Sequence, residues 1–268
     1  MFKPTSRLGY QTKFTSPKGG YWYKEDLRGG EALAEVLVST FLRSCKYLTF
    51  EDFVPYDFKY TSVDSFDLRT CVSPNFLQKG EQFISFKDLL SLAPSPTETL
   101  VGFDSKFDFI DSVFQQTVGQ SFREEMLRLL TLEVMFRNTD RHLSNFGIIL
   151  APNGTARFAP IFDNGLALGV SEGAYFDLDN LIRGFGYKIK PYELAVSTLT
   201  SQIDTSYFQF DVRYFVELVD KNIPKSNLLL GFLNLLVLYY PKDCNNIDTQ
   251  KELELVFGVF TKKRFLES

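Results

Sequence analysis

The chain has 268 residues, with 29 Lys and Arg against 33 Asp and Glu, and its formal net charge is −4. This charge balance, without a concentrated basic face, argues against nucleic-acid binding. A single histidine and three cysteines without a C-x-x-C pair argue against a Cys/His zinc site and fit a reducing compartment.

The sequence also lacks the apolar segments that are typical of a secreted or membrane protein. Residues 1–10 are polar and have no apolar signal-peptide core. The longest apolar run, 228–240, is too short to span a bilayer and contains Asn234, so it predicts a buried helix. We therefore expect no stable membrane insertion, and either a cytoplasmic location or export into a host cell without a signal peptide.

The first part of the chain is expected to form strands and one helix. The predicted strands are 10–14, 21–23, 51–60 and 66–72. Between the first two strands, residues 15–20 form a turn by composition and end in two glycines. Apolar residues at helical spacing predict an amphipathic helix over 31–42.

From Phe83 onward the pattern becomes helical. The predicted helices are 85–92, 103–118 and 122–136, followed by mostly helical sequence over 178–266. Ser121 and Glu124 have the spacing of a capping box before the third helix. Arg137-Asn138 is expected to end that helix, since Asn tolerates a left-handed conformation.

A hairpin is expected after the third helix. Asn153-Gly154 lies between two short apolar runs, 147–150 and 157–161. An Asn-Gly turn between such runs is a strong hairpin signal.

The order of elements predicts an α+β fold with two lobes. Ser73-Pro74-Asn75 breaks the β pattern and is typical of a linker. We therefore expect a small β-rich N-terminal lobe with its hinge over residues 1–76, and a larger helical C-terminal lobe over residues 77–268.

Two segments of the second lobe, NTDRHLSNFG (138–147) and IFDNG (161–165), carry the residue types that phosphoryl transfer requires. Asp140 is the candidate catalytic carboxylate, which orients the attacking hydroxyl and accepts its proton. Asn145 and Asp163 are the candidate metal ligands, which hold magnesium against the phosphates of ATP. The order of helix, Asp-x4-Asn loop, hairpin and Asp-x-Gly is that of protein kinases.

Phosphoryl transfer also needs a lysine from the first lobe, which holds the other end of the nucleotide. Lys24 lies on the strand after the turn at 15–20 and is the best candidate for contact with the α- and β-phosphates. Such a lysine is held by a glutamate of the next helix, and both Glu31 and Glu35 qualify by position. We favour Glu35, because it lies nearer the middle of the helix.

The turn at 15–20 is the candidate phosphate loop. Its small residues would allow backbone N–H groups to approach phosphate, so Thr15, Ser16, Lys18 and Gly19 are expected to contact the nucleotide. The alternatives are an ordinary hairpin turn and an exposed turn lysine. Thr15 and Ser16 are also candidate sites of self-phosphorylation.

Residues 71–76 are the candidate hinge, because they end the β-rich part and precede the helical part. Val72, Ser73 and Asn75 are expected to meet the adenine edge of ATP. His142, two residues after Asp140, is a further candidate for nucleotide binding, with a packing or hydrogen-bonding role as the alternative.

Together, the two segments resemble the catalytic and metal loops of HipA-like serine/threonine kinases. The resemblance is strong over Phe122 to Leu168 and looser before it. It implies a kinase-like fold, ATP and Mg²⁺ as cofactors, a protein substrate with a Ser or Thr hydroxyl, autophosphorylation and a role as toxin or effector. The chain differs from eukaryotic kinases in having Asp-Asn-Gly at 163–165, and it lacks a full G-x-G-x-x-G loop and an Ala-Pro-Glu motif.

Two other functions remain open at this point. Type II phosphatidylinositol 4-kinases resemble the chain in an Asp-Arg segment and in an Ile-Asp-Asn-Gly-Leu-Ala-like segment, which suggests a lipid or small-molecule kinase. The negative charge and the lack of an anchor argue against that alternative. A pseudokinase acting as a binding module is the other alternative, although Asp140, Asn145 and Asp163 are all present.

Overall fold

This computed structural model describes residues 3–6, 13–16, 19–27, 29–63, 66–94, 99–170 and 176–240. The described chain begins with a sheet and one helix and continues mainly as helices with short strands between them. The lobe boundary expected after residue 76 stays a prediction.

The first sheet is antiparallel and has five strands in the order β1-β2-β3-β5-β4. Its strands are β1 (Lys3–Ser6), β2 (Lys13–Thr15), β3 (Tyr21–Glu25), β4 (Asp57–Val63) and β5 (Phe66–Pro74). The strands predicted at 21–23 and 66–72 are confirmed. The register places Lys13 of β2 directly opposite Lys24 of β3.

The strand predicted at 51–60 is wrong in its first half, because β4 begins only at Asp57. A turn precedes it, in which the Asp52 carboxylate accepts hydrogen bonds from the backbone N–H and the hydroxyl of Thr49. Pro55 follows and has no N–H to donate to a sheet. This polar turn chemistry outweighs the β propensity of the aromatic residues.

Helix α1 (Glu31–Ser44) contacts β4 and β5 on one side and two later helices on the other. The helix predicted over 31–42 is confirmed, but all residues of α1 except Arg43 are buried, so it is a central helix and its polar side is not exposed. Its Phe41 ring lies within 5.2 Å, centroid to centroid, of both Phe136 and Phe210. These contacts fix α1 against the helical part of the chain.

The helical part follows the first sheet. Its helices are α2 (Phe86–Leu92), α3 (Gly102–Val118), α4 (Arg123–Met135), α5 (Leu178–Arg183), α6 (Val196–Leu199), α7 (Val212–Asn222) and α8 (Asn227–Tyr239). The apolar run at 228–240 is α8, which packs against α1, α4 and α5. Within the described ranges, no helix has both the length and the apolar character that crossing a membrane requires.

Two smaller antiparallel sheets lie among these helices. Their strands are β6 (Gln82–Ser85), β7 (Gly147–Leu150) and β8 (Ala156–Phe158) in one, and β9 (Lys188–Ile189) and β10 (Leu194–Ala195) in the other. The predicted hairpin is confirmed, although its second strand ends at Phe158. The prediction of helix from Phe83 onward is wrong at its start, because β6 pairs along β7. That pairing is close: a Cβ at Gly147 would lie 2.2 Å from Ile84 O, so only glycine fits.

Both predicted ends of α4 need correction. Ser121 does not cap the helix; its hydroxyl donates to Asp111 Oδ1 at 2.8 Å, and the helix begins at Arg123 without a side-chain cap. At the other end the left-handed residue is Arg137, with φ 54°, and not Asn138. The Arg137 guanidinium donates to the carbonyl oxygens of Leu181 and of two further residues, which outweighs the preference of Asn for this conformation.

Candidate active site

An ion-paired triple joins the first sheet, the central helix and the loop after β8. Lys24 Nζ of β3 lies 2.6 Å from Glu35 Oε1 of α1 and 2.6 Å from Asp163 Oδ1. The Lys24 and Glu35 side chains are buried, and that of Asp163 is 17% exposed. Lys24 therefore pairs with Glu35, whereas Glu31 Oε2 accepts a hydrogen bond from Leu27 N.

Electrostatics keeps this triple charged. Burial would lower the pKa of Lys24, but the carboxylates of Asp163 and Glu35 hold that pKa well above its usual value. Burial would likewise raise the pKa of Asp163, but the ammonium groups of Lys24 and Lys13 hold it below its usual value. The site thus offers an ionised carboxylate beside a fixed cation at neutral pH.

Lys13 is a second cation at this site that sequence reasoning missed. Its Nζ lies 3.7 Å from Asp163 Oδ2. Lys13 and Lys24 are direct cross-strand neighbours, and two like charges in that position repel unless an anion lies between them. Only the strand register brings the two lysines together, because nothing in the local pattern around Lys13 marks it.

The Asp163 loop is held in a strained but well-supported conformation. Asp163 has φ 62°, in the left-handed region that disfavours residues with a side chain. The next residue, Asn164, donates its backbone N–H to Glu35 Oε2 at 2.8 Å. Glu35 thus supports both Lys24 and the loop, which gives the central helix a direct role in placing the carboxylate.

Arg141 is buried behind these loops and connects them. Its guanidinium pairs with Glu133 Oε1 of α4 at 2.7 Å, and it also donates to Asn145 O at 3.0 Å. On the other side it donates to Phe162 O and, at 2.8 Å, to Asn164 Oδ1. One side chain therefore sets the position of the Asp140–Asn145 loop relative to the Asp163 loop. Sequence reasoning missed this role, and the only signal was an arginine directly after Asp140.

Within the loop of residues 138–147, the candidate catalytic loop, Asp140 is about one-third exposed and Asn145 is buried. Asn145 Nδ2 donates weakly to Asp140 O at 3.4 Å, which directs the amide oxygen, the atom that a metal takes, away from that carbonyl. His142 is exposed, and its Nδ1 accepts a hydrogen bond from Ser144 N at 3.3 Å. The histidine thus folds onto its own loop, as its hydrogen-bonding alternative anticipated.

The expected hinge residues lie at the end of β5. Val72 and Ser73 are opposite Tyr23 and Trp22 of β3. Asn75 donates its backbone N–H to Gly20 O at 2.8 Å, so that donor is occupied within the protein. This observation limits which backbone groups of the segment are open to an adenine edge.

Ring packing also links the hinge to the Asp163 loop. Phe76 stacks on Phe162, with ring centroids 5.4 Å apart and an angle of 27° between the planes. Phe162 directly precedes Asp163, so the position of the carboxylate depends on the end of the hinge segment as well as on Lys24.

The turn at 15–20 lies at the hinge end of the sheet, which corrects the expectation that it covers the phosphates. Gly20 bonds to Asn75, whereas Lys24 is four residues further along β3, about 13 Å in an extended strand. The tip of the turn at Gly19 therefore lies away from Lys24 along the sheet, and contact of Thr15 and Ser16 with the nucleotide stays a prediction. Lys18 lies outside the described residues.

The donor set fits magnesium bound together with phosphates. In the described part of the chain, no group of three or more His, Cys, Asp or Glu side chains forms a cage for a metal. Mg²⁺ in phosphoryl-transfer sites takes one or two protein oxygens and completes its shell with phosphates and water. An ionised Asp163 carboxylate and the Asn145 amide carry oxygen donors of that kind.

Known proteins are similar to this chain in family and in fold. The family model of the HipA-like C-terminal domain matches residues 13–180, more than half of the chain. A proinflammatory kinase of Helicobacter pylori, CtkA, is structurally similar with a TM-score of 0.57 at 14% identity, over 95% of this chain and 96% of that chain. A MAP kinase from Leishmania major has a TM-score of 0.28 at 11% identity, over 94% and 67%, which supports no argument. No curated protein sequence matches the chain.

The matched range contains both lysines, Glu35 and the loops with Asp140 and Asp163. The structural likeness to CtkA shows the two-lobed, kinase-like α+β fold that the sequence predicted. The chain belongs to the HipA-like C-terminal domain family.

Proposed function

We propose that this protein is an ATP- and Mg²⁺-dependent kinase that phosphorylates Ser or Thr hydroxyls of a protein. The observation that supports this function most is the contact of Lys24 with both Glu35 and Asp163, each at 2.6 Å. A lysine held by the central helix, beside an ionised Asp and close to an Asp-x4-Asn loop, matches the parts that phosphoryl transfer uses.

In this proposal the cations of the sheet bind the nucleotide. Lys24 contacts the α- and β-phosphates of ATP, and Lys13 contributes a second positive charge from the neighbouring strand. Asn145 and Asp163 hold the metal, and Val72 and Ser73 line the adenine side. When bound, Mg²⁺ neutralises charge on the phosphates and orients them.

Asp140 acts on the hydroxyl that accepts the phosphoryl group. Its carboxylate accepts a hydrogen bond from the Ser or Thr hydroxyl and takes the proton as the hydroxyl oxygen forms a bond to the γ-phosphorus. The bond from that phosphorus to the β–γ bridging oxygen breaks, its electron pair leaves with ADP, and Asp140 later returns the proton to solvent. Most of the catalysis comes from positioning and charge neutralisation.

The acceptor class rests on the resemblance of residues 138–147 and 161–165 to HipA-like serine/threonine kinases, together with the family match. Self-phosphorylation at Thr15 or Ser16 is part of the proposal as a reaction between molecules, because the turn lies at the hinge end of its own sheet. Phosphopeptide mapping after incubation with ATP tests it, and phosphate found only at other positions contradicts it.

The test of the function is transfer of label from γ-labelled ATP. Wild-type protein, Asp140→Ala and Asp163→Ala are each incubated with a generic protein substrate and, separately, with phosphoinositide vesicles. We expect label on protein with the wild type alone, since each substitution removes nearly all transfer. Asp163→Ala should also weaken the magnesium dependence of ATP binding, measured by calorimetry.

Other outcomes distinguish the alternatives. Label on vesicles and not on protein favours a lipid kinase, and ATP binding without any transfer or hydrolysis favours a pseudokinase. The control is Asp220→Asn, an exposed carboxylate on α7 that should behave as the wild type.

A further inference from the structure

The carboxylate of Asp140 has a partner from a distant part of the chain. Lys190 Nζ lies 3.3 Å from Asp140 Oδ1, and the two residues are 50 positions apart. The Lys190 side chain is 39% exposed and that of Asp140 is 37% exposed, so both reach the protein surface. None of the kinase motifs in the sequence includes this lysine.

The backbone that carries Lys190 is anchored on both sides. Ile189, the residue before it, is fully buried. Two residues after it, Tyr192 is buried and its carbonyl oxygen accepts a hydrogen bond from Lys106 Nζ of α3 at 2.6 Å. Glu193 N donates to Ile189 O at 2.8 Å, which closes the turn between β9 and β10. The lysine is thus presented to Asp140 by a supported turn and not by a free surface loop.

Below this turn, Lys190 also approaches the buried arginine network. A small cavity of about 10 Å³ is lined by Lys190, Tyr192, Glu133 and Arg141 among others. Lys190 therefore lines the same cavity as Glu133 and Arg141, which hold the catalytic loop. Its ammonium is near one carboxylate in particular, that of Asp140.

The charges at the proposed site indicate what the Lys190 ammonium does. Asp140 carries a negative charge next to a phosphoryl group that is also negative, and the two repel during transfer. Both basic side chains of the catalytic loop have other partners: Arg141 pairs with Glu133, and His142 accepts a hydrogen bond from Ser144 N. Among the described residues, Lys190 is the cation that pairs with Asp140.

We propose that Lys190 is a positioning residue for phosphoryl transfer and acts through Asp140. Its ammonium holds Oδ1, which leaves Oδ2 to accept the proton of the acceptor hydroxyl. The same charge offsets the repulsion between the carboxylate and the transferred group. This inference rests on the proposed kinase function.

The test compares Lys190→Ala, Lys190→Arg and the control Lys188→Ala with the wild type. Lys188 is exposed on β9, two residues before Lys190, and has no place in the proposed machinery. We expect Lys190→Ala to lower kcat about tenfold to a hundredfold, less than the loss of a donor that touches the reacting atoms. The KM for ATP and the melting temperature should stay at wild-type values, Lys190→Arg should recover most of kcat, and Lys188→Ala should match the wild type.

Each other result has a definite meaning. A Lys190→Ala variant that is as active as the wild type overturns the inference. A variant that is more active also overturns it, and would show that the lysine inhibits Asp140. A parallel loss in melting temperature, or no recovery with Lys190→Arg, also overturns it. If the wild-type protein neither transfers nor hydrolyses phosphate, both the proposed function and this inference fail. If the wild type is active, the result for Lys190→Ala tests this inference alone.

Discussion

Lys24 and Asp163 are 139 residues apart in the chain, and their charged atoms lie 2.6 Å apart. The contact connects the first sheet to the loop after β8, so it spans the two parts of the fold. In the proposed kinase reaction Lys24 contacts the phosphates and Asp163 holds the metal, so this pair would place both groups at one end of the nucleotide.

Lys13→Ala should weaken ATP binding without unfolding the protein. Lys13 is partly exposed and supplies the second positive charge beside Asp163. Loss of one charge-assisted contact to phosphate should raise the KM for ATP about tenfold, with a smaller effect on kcat. Steady-state kinetics at saturating magnesium measures this. Lys46→Ala, which removes an exposed lysine in the turn after α1, is the control; an equal effect of both variants would contradict a local role.

Arg141→Met should be strongly destabilising. The buried guanidinium bonds Glu133, Asn145 and Asn164, so its removal leaves a buried carboxylate and several oxygen atoms without a donor. Breaking a buried pair of this kind costs about 3–5 kcal/mol. Urea unfolding measures the loss. Arg123→Met, which removes an exposed ion pair with Asp108, should cost under about 1 kcal/mol, and equal losses would refute the role of Arg141.

Arg141→Lys should not rescue the fold. A lysine ammonium cannot reproduce the planar fork that reaches Glu133 and Asn164 together. We expect stability close to that of Arg141→Met, from the same unfolding measurement. Wild-type stability in Arg141→Lys would show that charge alone suffices.

Phe41→Ala should loosen the central helix. The Phe41 ring is fully buried and lies between Phe136 and Phe210. Truncation of a buried Phe costs about 3–5 kcal/mol, and ATP binding should weaken as well because α1 carries Glu35. Phe50→Ala, at a ring that is 68% exposed, is the matched control for unfolding. Loss of stability with unchanged ATP binding would show that α1 keeps Glu35 in place without this contact.

Glu133 should make stability depend on pH. Burial raises its pKa from 4.5 to about 7, against the opposing effect of Arg141. Between these two values the folded state binds the proton more tightly than the unfolded state, so the free energy of unfolding falls as pH rises. Relative to Glu133→Gln, the wild type should lose on the order of 2 kcal/mol between pH 5 and pH 8. Urea unfolding at four pH values measures the difference, and a constant difference would refute the titration.

Much of the fold followed from local patterns. Helices over 103–118 and 122–136 and the hairpin at Asn153-Gly154 were predictable, because apolar periodicity and turn chemistry act within a few residues. Errors arose where distant partners decided the structure. Gln82–Ser85 became a strand because β7 lies beside it, and Ser121 turned from the helix to Asp111.

The sequence by itself determined the candidate residues Asp140, Asn145 and Asp163, since their spacing within two short segments carries the chemical pattern. Tertiary structure alone decided which cations meet these carboxylates. The register of β2 and β3 places Lys13 at the site, and a turn 50 residues after Asp140 places Lys190 there. Arg141 contacts its partners only in the buried interior. Charges so far apart in the chain become neighbours through packing, and packing is a property of the whole fold that no local pattern records.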